Sequence, residues 1–162
     1  MKKKNTTAEL GMYKENISKA LFQNADIREL ILGDTSGMSA SQMRDAFKEH
    51  IKSHLFIDDT ITETDSFIFY DVRCPYLDTN VKGCQVIMYV ICHRDILDNY
   101  IKDGYYGNRA DILTQMVEDT LVNDEEVANS FGIGKLTLDS IDIYNATRFY
   151  GRTITLNVPT FR

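Results

Sequence analysis

The chain has 162 residues, which fits a single domain at roughly 100–200 residues per domain. A hydrophobic fraction of 43% and a charged fraction of 26% match an average soluble globular protein and argue against a disordered, collagen-like or wholly coiled-coil chain. The 18 basic and 24 acidic residues give a formal net charge of −6, which argues against a protein that wraps nucleic acid.

The three cysteines predict free thiols. Cys74, Cys84 and Cys92 form an odd set without a repeated spacing, which favours small buried side chains in a reducing cytoplasm over a disulfide framework. No apolar run approaches the roughly 18 residues that span a bilayer. We expect residues 1–6 to be a short solvated arm, because no apolar stretch follows the lysines as it would in a secretory leader.

Three helices are predicted in the N-terminal third. The first begins at a capping box in residues 6–9 and runs to about Gln23, with apolar residues at every third or fourth position. Asn24 caps a second helix over residues 25–32, which Gly33 ends. The third helix starts with a capping box at Ser39, and its predicted apolar stripe consists of Met43, Ala46, Phe47, Ile51 and Leu55.

Two strands and a fourth helix follow. Residues 66–72 and 84–93 are apolar at both odd and even positions, as expected for strands at the centre of a sheet. The long loop between them predicts a hairpin. Asn108 caps a helix with a clear apolar stripe, and a weaker turn of helix is expected at residues 124–129, before Gly132 and Gly134.

The last third predicts two more strands with one irregularity. Leu136 and Leu138 share one parity, whereas Ile141 and Ile143 have the other. A slip of one residue reverses the faces of a strand, so we expect a bulge near residues 139–140.

The elements together predict one α+β domain with a mostly antiparallel four-stranded sheet packed by helices. N-terminal helices precede a β-β-α-β-β order, and the division is a flexible arm (1–6), a helical extension (7–32) and a core (39–162). The final strand alternates apolar and polar residues over 153–158, so it should bury one face only. Pro159 should end this strand because it cannot donate to the ladder.

Two histidines could suggest a metal site. His50 and His54 are four apart on the predicted third helix, a spacing that can bind zinc. Ile51 stands where the zincin pattern requires a glutamate. We therefore predict that both imidazoles pack within the apolar stripe of the helix, and we predict no metal and no cofactor.

Other catalytic patterns are incomplete. Cys92 and His93 are adjacent in a strand, so their side chains should point to opposite faces and cannot form a nucleophile pair. Asp71 could be the first acid of a metal-dependent nuclease, but the next strand has no acid-x-lysine triplet. Residues 132–135 lack the spacing and the hydroxyl of a phosphate-binding loop. We predict that the protein is not an enzyme.

Two aromatic clusters are candidate interfaces, because Tyr and Arg are enriched at interface centres. Residues 95–108 contain Tyr100, Ile101, Tyr105 and Tyr106. This loop either folds back onto its own sheet or forms a docking patch. A second cluster, at the turn of the last hairpin, either tucks onto a helix or is also an interface; it consists of Arg148, Phe149, Tyr150 and Arg152.

Five segments carry a resemblance to a known family: residues 47–51, 67–71, 107–113, 131–136 and 149–152. From about residue 39 to residue 162 the chain resembles the tail-terminator proteins of long-tailed bacteriophages, which form a ring on the head-proximal end of the tail tube. The resemblance implies a structural virion protein that terminates growth of the tube and joins the tail to the head connector. The two N-terminal helices exceed the small core of that family.

The resemblance also implies partners and a location. It implies a homohexameric ring in the virion neck, assembled in the host cytoplasm, that contacts the tail tube protein, the head connector and, as a further candidate, the sheath protein. DNA would be passing cargo, and no membrane is involved. The last strand would provide an edge for a neighbouring copy. The interface residues are predicted to be Tyr100, Tyr105, Tyr106, Arg109, Arg148, Phe149, Tyr150 and Arg152.

Three alternatives remain open at this point. A head-completion or connector protein of the same neck would form a ring of twelve copies. A metal-dependent nuclease would cleave DNA with magnesium. A host-directed regulatory protein would stay monomeric.

Overall fold

A computed structural model describes residues 5–55, 61–131 and 135–161 of the chain. Its first three elements are helices. They are α1 (Thr6–Gln23), α2 (Ala25–Leu32) and α3 (Ala40–His50). The cap of α1 is Asn5, whose side chain accepts from the Ala8 amide at 2.7 Å, and not the predicted Thr6. No helix among the described residues is both long and apolar enough to cross a membrane.

The end of α3 differs from the prediction. The capping box at Ser39 is confirmed, but the helix ends at His50. Ile51 and Lys52 form a short strand, β1 (Ile51–Lys52), parallel to the next strand and paired with Ile68 and Phe69. Ile51 is therefore buried against the sheet, and Leu55 lies beyond the helix. Strand pairing of a β-branched residue overrides the helical periodicity here.

The described sheet has five strands instead of the predicted four. The four longer strands are β2 (Ser66–Leu77), β3 (Val81–His93), β4 (Thr137–Asn145) and β5 (Phe149–Phe161). Their order is β1-β2-β3-β5-β4, with every pair antiparallel except β1 and β2. The predicted hairpin between β2 and β3 is confirmed.

The predicted bulge in β4 is confirmed. Leu138 pairs with Leu156 and Ser140 pairs with Thr155, so Asp139 is the additional residue. The bulge returns Ile141 to the helix-covered face, opposite Ile154 on β5.

Strand β5 buries one face, as predicted, but it is not an edge. It lies between β3 and β4, so the prediction of an edge on β5 is wrong, and the outer strand at this margin of the described sheet is β4. The strand also continues through Pro159, which pairs with Gly83. Pairing with β4 reaches only to Asn157. Beyond that residue β5 lies at the margin of the sheet, where a proline is tolerated.

The main core lies between one sheet face and the helices. Helix α4 (Arg109–Glu118) continues into a π-helical turn at Asp119–Asn123 and then α5 (Glu125–Ala128). The predicted turn of helix at 124–129 corresponds to α5, whereas the π-helical turn was not predicted. Helices α1 and α2 share the core of the sheet, whose fully buried members include Ile17, Leu21, Ile27, Met88, Leu113 and Met116.

A smaller cluster covers part of the other sheet face. It contains Phe67, Phe69, Ile91 and Phe149. The rings of Phe67 and Phe149 meet edge to face with centres 5.8 Å apart. This cluster explains why the first half of β2 is apolar at both parities.

Asn24→Ala is expected to lower the free energy of unfolding by about 1–2 kcal/mol. The Asn24 side-chain oxygen accepts from the amides of Asp26 and Ile27 at 2.9 and 3.1 Å. Its Nδ2 donates to Thr120 Oγ1 at 2.7 Å, so it also ties α2 to the turn after α4. Urea unfolding measures the change. Asn5→Ala, at an exposed cap near the chain end, is the control and should cost less; an equal cost would contradict the bridging role.

Candidate assembly surfaces

The tyrosine-rich loop folds back onto α2. Tyr100 Oη donates to a Glu29 carboxylate oxygen at 2.7 Å, and Tyr105 Oη donates to Asp26 at 3.2 Å. Lys102 Nζ lies 3.2 Å from Glu29. Burial is the main cause that raises the pKa of the Tyr100 hydroxyl, and the hydrogen bond with Glu29 raises it further. The loop is therefore anchored within the chain, as one predicted alternative requires, but its support is α2 and not the sheet.

Arg109 fixes the base of this loop. Its guanidinium donates to the carbonyl oxygens of Ile96 at 3.1 Å and Leu30 at 3.3 Å, and to Asn99 Oδ1 at 2.9 Å. The guanidinium carbon lies 4.9 Å from the centre of the Tyr100 ring. Arg109 thus holds the loop and α2 together.

Two apolar side chains of the loop remain exposed. Ile101 is 93% exposed and Tyr106 is 81% exposed. The Tyr106 backbone is held by Gln115, whose Oε1 accepts from the Tyr106 amide at 3.2 Å. The loop therefore presents these two side chains from a fixed backbone.

The second predicted cluster is also largely internal. Phe149 is buried in the smaller core. The Arg152 guanidinium donates to Asp111 Oδ1 at 3.0 Å, which ties β5 to α4. Tyr150 is half-buried, with the Arg94 guanidinium carbon 5.9 Å from its ring centre, and Arg148 is exposed. An interface role for the eight predicted residues stays a prediction.

The outer strand β4 carries a surface that was not predicted. Ile143 is 64% exposed and Ile141 is 46% exposed. The side chains of Asp139 and Asp142 are exposed on the same strand, and Asp142 lies on the sheet face opposite to the two isoleucines. Among the described residues β4 pairs only with β5, so one row of its backbone polar groups has no strand partner. These four residues are the β4 edge.

A groove between α1 and α3 is the second surface that was not predicted. Its volume is about 460 Å³. Phe22, Phe47 and Ile51 contribute apolar lining, with the rings of Phe22 and Phe47 edge to face at 5.3 Å. The charged residues that line it are Lys19, Arg44 and Lys48. This is the α1/α3 groove.

The sequence contained partial signals for both surfaces. The parity slip marked Ile141 and Ile143 as a separate apolar pair. It could not show that their strand is outermost. Three basic residues lie beside apolar helical positions: Lys19, Arg44 and Lys48. The predicted α3 stripe runs to Leu55 and treats the whole apolar side of the helix as buried, so the sequence does not reveal an open groove there.

The two histidines have different environments. His50 Nδ1 lies 3.0 Å from the Ser66 carbonyl oxygen, and its ring stacks on Phe67 with ring centres 5.2 Å apart. His50 is therefore a packing residue, as predicted, but it packs against the smaller cluster and not within the apolar stripe that contains Phe47. The predicted packing role is wrong for His54, which is exposed beyond the helix because α3 ends four residues earlier. The described residues contain no group of three side chains able to hold a metal ion.

The cysteines are free thiols in the described chain. Burial raises the pKa of Cys92 to about 12, and the Ser66 hydroxyl donates to its Sγ at 3.1 Å. Cys92 is therefore a protonated core thiol near neutral pH. His93 is engaged elsewhere, since its Nδ1 accepts from the Asp95 amide at 3.1 Å. Residues 132–134 of the glycine-rich segment lie outside the described residues.

Comparison with known proteins gives one finding about ancestry. The YomW family model matches residues 14–158, which is most of the chain. This family is named after a protein of the Bacillus phage SPBc2 region, which indicates a phage-related protein. No curated protein and no solved structure matches the chain.

Proposed function

We propose that this chain, which belongs to the YomW family, is a structural virion protein that forms a six-copy ring at the head-proximal end of a phage tail. The ring terminates growth of the tail tube and joins the tail to the head connector. Its partners are further copies of itself, the tail tube protein, the head connector and, as a further candidate, the sheath protein. It acts through assembly and catalyses no reaction.

The observation that carries this proposal is the β4 edge. Proteins that work as monomers protect edge strands with short length, charge or a covering segment. Strand β4 has a bulge and two exposed carboxylates, which disfavour pairing with a second β4, but this nine-residue outer strand still exposes two isoleucines, Ile141 and Ile143. A partner that covers this strand removes apolar surface from water and pairs its backbone groups. Repeated copies joined through unlike patches form a closed ring when the rotation between them closes.

The charge of the chain supports a ring around DNA. Each copy has a formal net charge of −6, so a six-copy ring is strongly acidic. Phosphate backbones bind basic surfaces. An acidic or neutral lumen therefore lets DNA pass without adhering to the wall.

The side chains that could take part in catalysis are packed within the fold, which supports a non-enzymatic role. Cys92 is buried as a thiol, and His50 stacks in the smaller aromatic cluster. Tyr100 and Arg109 stabilise the loop, and Arg152 ties β5 to α4. These side chains have structural partners in the fold.

Mass photometry of the purified full chain, alone and with tail tubes assembled without it, tests the proposal. A six-copy species, six times the 18.6 kDa of one chain, is expected in at least one condition. A twelve-copy ring would overturn the tail-terminator assignment and favour a head-completion protein. A monomer in both conditions, or magnesium-dependent cleavage of DNA, would overturn the ring proposal.

A further inference from the structure

We infer that the repeating contact of the ring is made by the β4 edge of one copy seated in the α1/α3 groove of the next. This inference rests on the proposed function and names the occupant of both surfaces as a second copy of this chain. No residue of either surface is among the eight interface residues predicted from the sequence.

The two surfaces lie at opposite margins of one sheet. Helix α3 leads directly into β1, which is the first strand in the sheet order, and β4 is the last. A contact that joins one margin to the other is heterologous. Each copy then keeps one unused margin for the following copy, which is the arrangement that a ring requires.

The charges of the two surfaces are complementary. Three cations and no carboxylate line the α1/α3 groove: Lys19, Arg44 and Lys48. Strand β4 contains two carboxylates, Asp139 and Asp142, and no basic residue between positions 137 and 145. A symmetric pairing of two β4 edges would bring like charges together, which is unfavourable. The groove of another copy offers the opposite charge.

The apolar parts also correspond. Ile143 and Ile141 project exposed branched side chains, and Phe22, Phe47 and Ile51 offer an apolar lining with aromatic rings. The groove volume of about 460 Å³ lies within the roughly 300–1,000 Å³ of typical binding pockets. An apolar centre with charged residues around it is the usual anatomy of a protein interface.

Two variants, each blocked on one surface, test the contact. Ile143→Asn replaces the more exposed isoleucine of the β4 edge with a neutral polar side chain, and Arg44→Glu with Lys48→Glu reverses the charge of the groove. All three positions are exposed, so the fold should persist, and circular dichroism checks this. Each variant alone is expected to be monomeric. An equimolar mixture is expected to form a two-copy species and nothing larger, because only one β4 edge and one groove are intact in each pair.

Ile101→Asn is the matched control, because Ile101 is 93% exposed and belongs to neither surface; its ring should match the wild type. All measurements use the condition in which wild-type protein assembles. Rings in either blocked variant, or a mixture that stays monomeric, would overturn this contact while the proposed function stands. A wild-type chain that never assembles would overturn both.

Discussion

Replacing Gly151 by alanine is expected to lower the free energy of unfolding by about 3 kcal/mol. Gly151 lies in β5 between Ile91 on β3 and Tyr144 on β4. A Cβ atom at this position would be 2.8 Å from both the Cα of Ile91 and the carbonyl carbon of Val90. These atoms belong to the backbone of the central strand. They cannot move away without disturbing the pairing of β3 with its neighbours.

Urea unfolding followed by circular dichroism measures this loss, and Gly11→Ala is the matched control. Gly11 is an exposed residue within α1, and a Cβ there meets nothing within 4 Å. Alanine should stabilise the helix by about 1 kcal/mol. The same substitution therefore has opposite signs at the two positions. A Gly151→Ala protein with the wild-type unfolding midpoint would show that the strands separate easily at this point.

Gly151 also shows what the resemblance could not reveal. It belongs to the segment 149–152, which carries part of the resemblance, and the aromatic and arginine residues around it predict an interface. The structure gives the glycine a steric role, since two backbones approach closely there. The neighbouring Phe149 and Arg152 are likewise engaged within the chain.

Local sequence patterns are sufficient to predict the helix caps and the bulge in β4. Asn24, Ser39 and Asn108 cap helices where predicted, because a cap depends on residues within one turn. The bulge at Asp139 follows from the parity of four nearby apolar residues. These features depend on neighbours in the chain, so one sequence contains the necessary information.

Local sequence patterns do not predict contacts between residues that are far apart in the chain. Ile51 leaves its helix because Ile68 pairs with it, and Tyr100 meets Glu29 from a distant part of the chain. The sequence predicts an edge on β5 because it does not show that β4 pairs along the outer side of β5. The β4 edge and the α1/α3 groove depend on the same strand order, so neither surface could be located without the fold.

Glu9→Ala is expected to lower the free energy of unfolding by about 2–3 kcal/mol. Lys82 projects from β3 onto the first turn of α1, where its ammonium pairs with the Glu9 carboxylate. The Lys82 side chain is only 3% exposed, whereas that of Glu9 is 27% exposed. Removing Glu9 leaves a buried cation without the carboxylate that faces it. The loss is smaller than for a fully buried pair, because water reaches the Glu9 side.

Lys82→Met separates the cost of the buried charge from the value of the pair. Methionine keeps most of the side-chain length, and Glu9 is then exposed enough to be solvated, so stability should change by less than about 1 kcal/mol. In the Lys82→Met background, Glu9→Ala should cost much less than in the wild type. A double-mutant cycle from urea unfolding gives the coupling energy directly. Equal costs of Glu9→Ala in the two backgrounds would mean that the contact between α1 and β3 depends on packing alone.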